Sequence, residues 1–288
     1  MEGSIDVESA APITETSYGG IVWQQFRKNL PAVLGLWCVV ILFLLATYAP
    51  LLCMDHPLIY YAGGQISFPL FQTLFNRLLW ENGVDVFFNL IMALSPLYVV
   101  WLILFRRSLF KTLLRLAILH VVVFLFVIPE AYPGRPNPLY VKRPILNYTA
   151  EIKLQKAKGE KVFALFPPIA FHYRSTNPSE SVAPPSSKHL LGADKQGRDV
   201  LARMLYGVRI SLTIGVVAVS IYVLIGVLLG ALSGYFGGWI DILISRAIEV
   251  MICIPTFFLI LALAAIIQQR SIFHVMIIIG ITSWTGVA

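Results

Sequence analysis

The sequence predicts an all-α membrane protein, a polytopic helical bundle, and three observations predict it. Residues of the AVILMFWYC set make up 58% of the chain and charged residues 13%, against about 45–50% and about 25% in soluble domains. Six apolar stretches approach or exceed the length of about 17 to 20 residues that a helix needs to cross a bilayer: Leu30–Cys53, Val84–Phe105, Leu109–Ile128, Ile210–Ser233, Ala247–Ile267 and Ile272–Ala288. None alternates with period two as a barrel strand would, and backbone groups in lipid must find partners inside their own segment.

The elements follow in order. Residues 1–29 form a polar tail. The run 30–53 is longer than a signal-peptide core and no small-residue cleavage pattern follows it, so it reads as a retained first transmembrane helix. Arg27 and Lys28 precede that span, whereas the segment after it offers Arg77 against Asp55 and Glu81, and the positive-inside bias then places the N-terminus in the cytoplasm. Residues 54–128 read as an outer segment followed by an inserted transmembrane hairpin, 84–105 and 109–128. The hairpin turn holds Arg106 and Arg107, with Lys111 just beyond, which suits the cytoplasmic side.

Span parity puts 129–209 outside as an extracytoplasmic loop, with Pro133-Gly134-Arg135-Pro136-Asn137-Pro138, the charged stretch Glu151 to Lys161, and Pro184-Pro185-Ser186-Ser187. Its positive charges are tolerable because long loops translocate largely regardless of charge. The stretch near Lys153 suits either a short exposed helix or disorder. Asp199 to Tyr206, with Val200, Leu201, Met204 and Leu205, fits a short interfacial amphipathic helix, from which Arg198, Arg203 and Arg209 reach headgroups or other loops. The core is 210–288, with spans 210–233, 247–267 and 272–288, a cytoplasmic turn Phe236-Gly237-Gly238-Trp239-Ile240-Asp241, Arg246 flanking the next helix, and a brief outward return at Gln268 to Ser271.

Gly192-x4-Gly197 superficially resembles a phosphate-binding loop, but Arg198 and Asp199 stand where Lys and a hydroxyl residue are required. ATP binding by this chain is excluded. The two glycines and Asp194 read as a tight hydrogen-bonded turn, and Asp199 as the cap of the helix after it. Gly226, Gly230 and Gly234 lay a smooth stripe on one helix face for close packing, within the chain or against another subunit. Pro255 should kink its span around Ile252 to Cys253.

A Ser/His hydrolase built on Ser233 and His274 fails on distance, because the expected threading places them near opposite faces, about 30 Å apart, whereas a nucleophile and its base need contact at about 3 Å. His120 lies deep in the third span and reads as a neutral, hydrogen-bonded ring. Arg115 can snorkel from its span, and Asp85 and Asn89 lie toward the outer end of theirs and do not pair with it. Cys38, Cys53 and Cys253 read as packing residues rather than a disulfide or metal framework. Asn147-Tyr148-Thr149 fits a glycosylation pattern that carries no meaning in a bacterial protein. The formal charge of +7 is spread over loops and span ends, as ordinary membrane-flanking charge and not a nucleic-acid face. No catalytic, cofactor or metal constellation is expected.

The run Gly192-Ala193-Asp194-Lys195-Gln196-Gly197-Arg198-Asp199-Val200-Leu201-Ala202-Arg203, followed by Tyr206-Gly207-Val208-Arg209-Ile210-Ser211-Leu212, resembles the start of the transporter core in the C-type permease subunits of bacterial dipeptide/oligopeptide ABC importers. The similarity continues through Gly230-Ala231-Leu232-Ser233-Gly234-Tyr235-Phe236-Gly237-Gly238, then Asp241, Arg246, Ile254-Pro255 and Trp284. Trp23-Gln24-Gln25-Phe26-Arg27-Lys28-Asn29 and Ala49-Pro50-Leu51 resemble the N-terminal part of such subunits. The resemblance implies a multi-pass subunit of the bacterial cell inner membrane that pairs with a second permease subunit, binds two cytoplasmic ATPase subunits and receives peptides from an extracytoplasmic solute-binding protein. It implies no enzyme activity of its own, since ATP hydrolysis would belong to the partners.

Two departures shape the expectation. The hairpin between Val84 and Ile128 is an insertion relative to simpler members. The chain stops at Trp284-Thr285-Gly286-Val287-Ala288, where the ATPase docking loop would follow, so the resemblance implies an incomplete, C-terminally truncated core that alone cannot support coupled transport. The alternative is a non-transporting membrane interaction protein that associates with a partner permease. The cargo is left open, because the solute-binding protein largely sets it in this family.

Overall fold

A computed structural model describes residues 18–80, 82–105, 109–127, 131–132, 135–136, 144–266 and 272–288. The expectations on Glu81, Arg106, Arg107, the start of the proline-rich loop and Gln268 to Ser271 fall outside these. The chain divides into two units, residues 1–42 and 43–288.

In the first unit, helix α1 (Tyr18–Lys28) occupies much of what reads as a tail, with Arg27 and Lys28 in its last turn, where cations meet the negative end of the helix dipole. Asn29 breaks the path: its Oδ1 accepts from Ala32 N at 3.3 Å, and α2 (Leu30–Thr47) begins.

The second unit starts with the end of α2 and the short helix α3 (Ala49–Leu52). A small sheet follows, absent from the all-helical expectation. Strands β1 (Ile59–Ala62) and β2 (Gln65–Ser67) turn through Gly63 and Gly64, both at positive φ, a conformation glycine adopts without steric cost. Then come α4 (Pro69–Thr73), α5 (Gly83–Leu104), α6 (Leu109–Val127), a two-strand ribbon of β3 (Ala131–Tyr132) and β4 (Arg135–Pro136), and α7 (Tyr148–Ala157). Strand β5 (Phe163–Leu165) closes the sheet in the order β2-β1-β5, antiparallel, with Tyr60 opposite Ala164.

That pairing joins segments on either side of the α5–α6 hairpin. Residues 53–80 and 144–199 thereby form one polar head. Met54, Leu70, Leu74, Leu79 and Trp80 fill its core, and Cys53 bridges to Ile169 beside them. Of the two options for the stretch near Lys153, the helix is observed: Asn147 caps α7 by accepting from Ala150 N at 3.1 Å.

The core differs from the expected spans in three places. Helix α8 (Val200–Phe236) is one unbroken helix of 37 residues, not an interfacial helix followed by a span. No proline interrupts it, and an interior glycine costs only about 1 kcal/mol against a flanking run of Val, Leu and Ile. Over its first turns the buried residues are Ala202, Tyr206 and Arg209, so these turns insert into the head, while Met204 is exposed.

Helix α9 (Gly238–Cys253) begins earlier than the expected Ala247, because Gly237 and Gly238 at φ +59° and +53° reverse the chain in two residues. The expected kink is a full break. Ile254 is extended, as a residue before proline prefers, and α10 (Thr256–Ile266) leaves at 84° to α9. Helix α11 (Ile272–Thr282) ends in a short turn at Trp284–Gly286. Among the described residues, three helices, Leu30–Thr47, Gly83–Leu104 and Val200–Phe236, are long and apolar enough to cross a membrane, and the bent α9–α10 pair makes up to four.

The glycine stripe is divided. A Cβ on Gly226 would lie 2.6 Å from Val287 Cβ, and one on Gly230 would lie 3.1 Å from the Ala288 carbonyl oxygen, so both pack within the chain; Gly234 faces nothing within 4 Å.

Candidate functional site

The turn leading into α8 is held by glycine sterics and by two carboxylates. Gly192 and Gly197 have φ of +78° and +68°, and a Cβ on Gly197 would lie 1.8 Å from the Asn177 carbonyl oxygen. Only glycine fits both the backbone twist and the close approach. Asp194 folds over the turn: Oδ1 accepts from Gln196 N at 2.8 Å and Arg198 N at 3.0 Å. Its Oδ2 takes Arg198 Nε at 2.8 Å and Arg203 Nη1 at 2.6 Å. The Arg198 backbone amide, reinforced by its guanidinium, holds the Asp194 carboxyl well below the usual carboxylate range. Val182, at φ +53°, is pinned beside the turn by donating its N–H to Asp194 O at 3.0 Å.

The second carboxylate, Asp199, is buried. Its Oδ1 accepts from Ala202 N at 2.7 Å at the head of α8, and Oδ2 lies 2.8 Å from His189 Nδ1. The other ring nitrogen of His189 lies 3.1 Å from Glu180 Oε2, and Lys188 pairs with the same Glu180. Hydrogen bonds from Lys188 first and His189 second lower the Glu180 pKa to about 2. Phe171 stacks on His189 at 4.4 Å. Thus Glu180, His189 and Asp199 link the loop to the first turn of α8.

Two turns further on, Arg209 is fully buried and does not reach headgroups, as its position after an interfacial helix suggests. Its Nε donates to Ala46 O at 2.7 Å and its Nη1 to Asp85 Oδ1 at 3.2 Å. The rings of Tyr206, Phe88 and Trp80 surround the guanidinium, with centroids 5.0, 5.5 and 5.6 Å away. Tyr173 OH donates to the other Asp85 oxygen at 3.1 Å, and Tyr206 OH donates to Cys53 O at 2.8 Å. One cation therefore ties together the end of α2, the start of α5, the head and α8. A charge buried in apolar surroundings is tolerated when it is paired and hydrogen-bonded in this way.

Gly192, Asp194, Gly197, Arg198 and Asp199 are thus brought together. Gly207 lies between this turn and Arg209, with no neighbour within 4 Å of a Cβ, while Gly226, Gly230, Gly234 and Pro255 lie further along the core. Sequence reasoning missed Asp85, Glu180, His189, Tyr173 and Tyr206. The signal for Asp85 was an acid in the first turn of one apolar run and a cation at the head of another. Arg198 and Arg203 turn onto Asp194 rather than outward.

Ser233 Oγ hydrogen-bonds Asp241 across the glycine reversal, which gives it a local partner other than His274. His120 is buried, with Nδ1 2.7 Å from Tyr98 OH, so its partner is a phenol on the neighbouring helix. Among the described residues no group of His, Cys, Asp and Glu is arranged to hold a metal. The three cysteines are free, and Cys38 and Cys253 are exposed, unlike buried Cys53.

The family described as the N-terminal TM domain of oligopeptide transport permease C matches residues 17–63. The dipeptide transport system permease protein DppC of Alkalihalophilus pseudofirmus is 39% identical over 108 residues, 37% of this chain and 36% of the relative. The protein of that name from Bacillus subtilis (strain 168) is 36% identical over 162 residues, 51% of this chain and 50% of the relative. Over these stretches the chain is similar to dipeptide and oligopeptide transport permeases. The peptidoglycan transport system permease protein YejE of Agrobacterium fabrum is also similar, 38% identical over 96 residues, 33% of this chain and 25% of the relative. The chain spans half or less of the length of these relatives. The similarity to permeases and the apolar helices among the described residues together support a multi-pass membrane protein.

Proposed function

We propose that the chain is a transmembrane permease subunit of an ATP-binding-cassette importer that passes peptides across the bacterial inner membrane. In this reading the N-terminus and the Gly237–Gly238 reversal are cytoplasmic and the head is outside. A second permease subunit pairs with the chain, two ATPase subunits hydrolyse ATP in the cytoplasm, and a solute-binding protein delivers cargo to the outer face. Relatives named as dipeptide, oligopeptide and peptidoglycan transport permeases support a peptide-bearing cargo class.

The observation that carries the reading is the hydrogen-bonded junction of head and helix. Helix α8 enters the head at Asp199 and is clamped there again at Arg209, then continues without a break to Phe236. A load placed on the head is therefore delivered to a membrane helix through hydrogen-bonded joints. In this reading Gly192, Asp194, Gly197 and Arg198 shape the joint, Asp199 and Arg209 fix it to α8, Gly226, Gly230 and Gly234 allow close helix approach, and Pro255 sets the break after α9. Alternating exposure of a route between the two permeases would follow from states that the ATPases bind differently.

The test is uptake of a labelled dipeptide by cells that lack their own peptide importers, with this chain expressed beside a second permease, paired ATPases and a solute-binding protein. Uptake above the level without this chain is expected. Stable association with the second permease but no uptake would overturn the transport reading in favour of a non-transporting interaction protein.

A further inference from the structure

Helices α5 and α6 form an antiparallel hairpin: Thr112 Oγ1 donates to Phe105 O at 3.0 Å, Tyr98 meets His120, and Phe87 packs edge-on against Phe124 with centroids 5.0 Å apart. Helix α6 buries Thr112, Leu116, His120 and Phe124, a stripe of spacing four that turns one face to its partner. Its far side has a different character. Lys111, Arg115, Ile118, Val122 and Leu125 are all exposed, and their spacing of four, three, four and three aligns them along one face.

Two cations thus head an apolar strip. The ion pairs of the described residues use neither Lys111 nor Arg115. On the adjoining helix, at the same end of the hairpin, Trp101 and Phe105 lie with ring centroids 4.9 Å apart, and both are exposed. Aromatic rings of this kind gather at the boundary between hydrocarbon and headgroups. The one acid described in the hairpin, Asp85, lies at its other end and is paired with Arg209.

We propose that this face of α6 binds an anionic phospholipid, with Lys111 and Arg115 on the headgroup phosphate, Ile118, Val122 and Leu125 along an acyl chain, and Trp101 and Phe105 marking the headgroup level. The chemistry selects an amphiphile over a free anion, because the cations and the apolar strip share one face. An exposed Arg inside a span also needs such a partner or water to offset the cost of leaving it in hydrocarbon. The site rests on the hairpin lying in the membrane and not on the nature of the cargo, so failure of peptide uptake leaves it standing.

The test is retention of phosphatidylglycerol by the full chain, purified in detergent and read by native mass spectrometry and by the shift of its unfolding midpoint. Phosphatidylcholine and inorganic phosphate serve as separate arms. At about 1 kcal/mol for each cation near the membrane surface, the K111Q/R115Q variant should bind phosphatidylglycerol about thirtyfold more weakly. R115K should retain it, and K153Q/K156Q on α7 should match the unmodified chain. Equal retention by K111Q/R115Q would overturn the site. Equal stabilisation by inorganic phosphate, or by phosphatidylcholine, would overturn the anionic lipid as its occupant.

Discussion

At the scale of single residues, Arg209 is the buried charge that ties α8 to Ala46 and Asp85. Removing its carboxylate partner leaves a cation buried among Trp80, Phe88 and Tyr206, so Asp85→Ala should destabilise the protein by about 3–5 kcal/mol. The double variant D85A/R209M should recover much of that loss, because no uncompensated charge remains. Thermal unfolding of the purified chain in detergent checks both; additive losses in the double variant would show that the two residues act separately. The turn before α8 was legible from the sequence, since paired glycines around Asp194 leave few alternatives. The burial of Arg209 was not, because its partners Ala46 and Asp85 are distant in the chain and a cation at the start of an apolar run looks like a flanking charge. Hydropathy likewise favoured Val200, Leu201, Met204 and Leu205 as the docked face of α8, whereas the structure buries a small residue, an aromatic ring and the cation.

At the scale of elements, long apolar runs announced themselves: helices were expected at Val84–Phe105 and Leu109–Ile128 and are observed at Gly83–Leu104 and Leu109–Val127. The sheet gave no such signal. Its strands are three or four residues long and half-exposed, and the pairing of Ile59 with Leu165 can be seen only once the intervening hairpin is folded away. Pro255 was visible as a perturbation, yet its local effect extends to Ile254 and converts a kink into an 84° break. If proline sets that break, Pro255→Ala should straighten α9 and α10. Spin labels at Ile242 and Leu261 would then separate toward about 28 Å, the span of a continuous helix rising about 1.5 Å per residue. An unchanged distance distribution would assign the bend to tertiary packing instead.

At the scale of the whole molecule, the head should respond to pH through His172. Burial lowers this ring to about 4, against about 6.5 in an unfolded chain. As pH falls through 6.5 the unfolded state takes up the proton first, so stability should decline between about 6.5 and 4, by up to about 3 kcal/mol, and level off below that. The levelling belongs to His172 alone: Asp55 and Glu180, both lowered, weaken the fold further as pH falls below the unfolded carboxylate values of about 4. Trp80, whose ring lies 5.0 Å from His172, reports the transition by fluorescence, and His172→Phe should flatten the slope between pH 6.5 and 4. A slope that survives the substitution would remove His172 as its cause.

The threading of the chain through the membrane carries the functional reading, and labelling of single cysteines in intact cells tests it most directly, with Cys38, Cys53 and Cys253 replaced. A membrane-impermeant maleimide should modify Ser187→Cys in the head without permeabilisation and Tyr235→Cys, at the end of α8, only after it. Labelling with the reverse pattern would place the head in the cytoplasm and contradict the account.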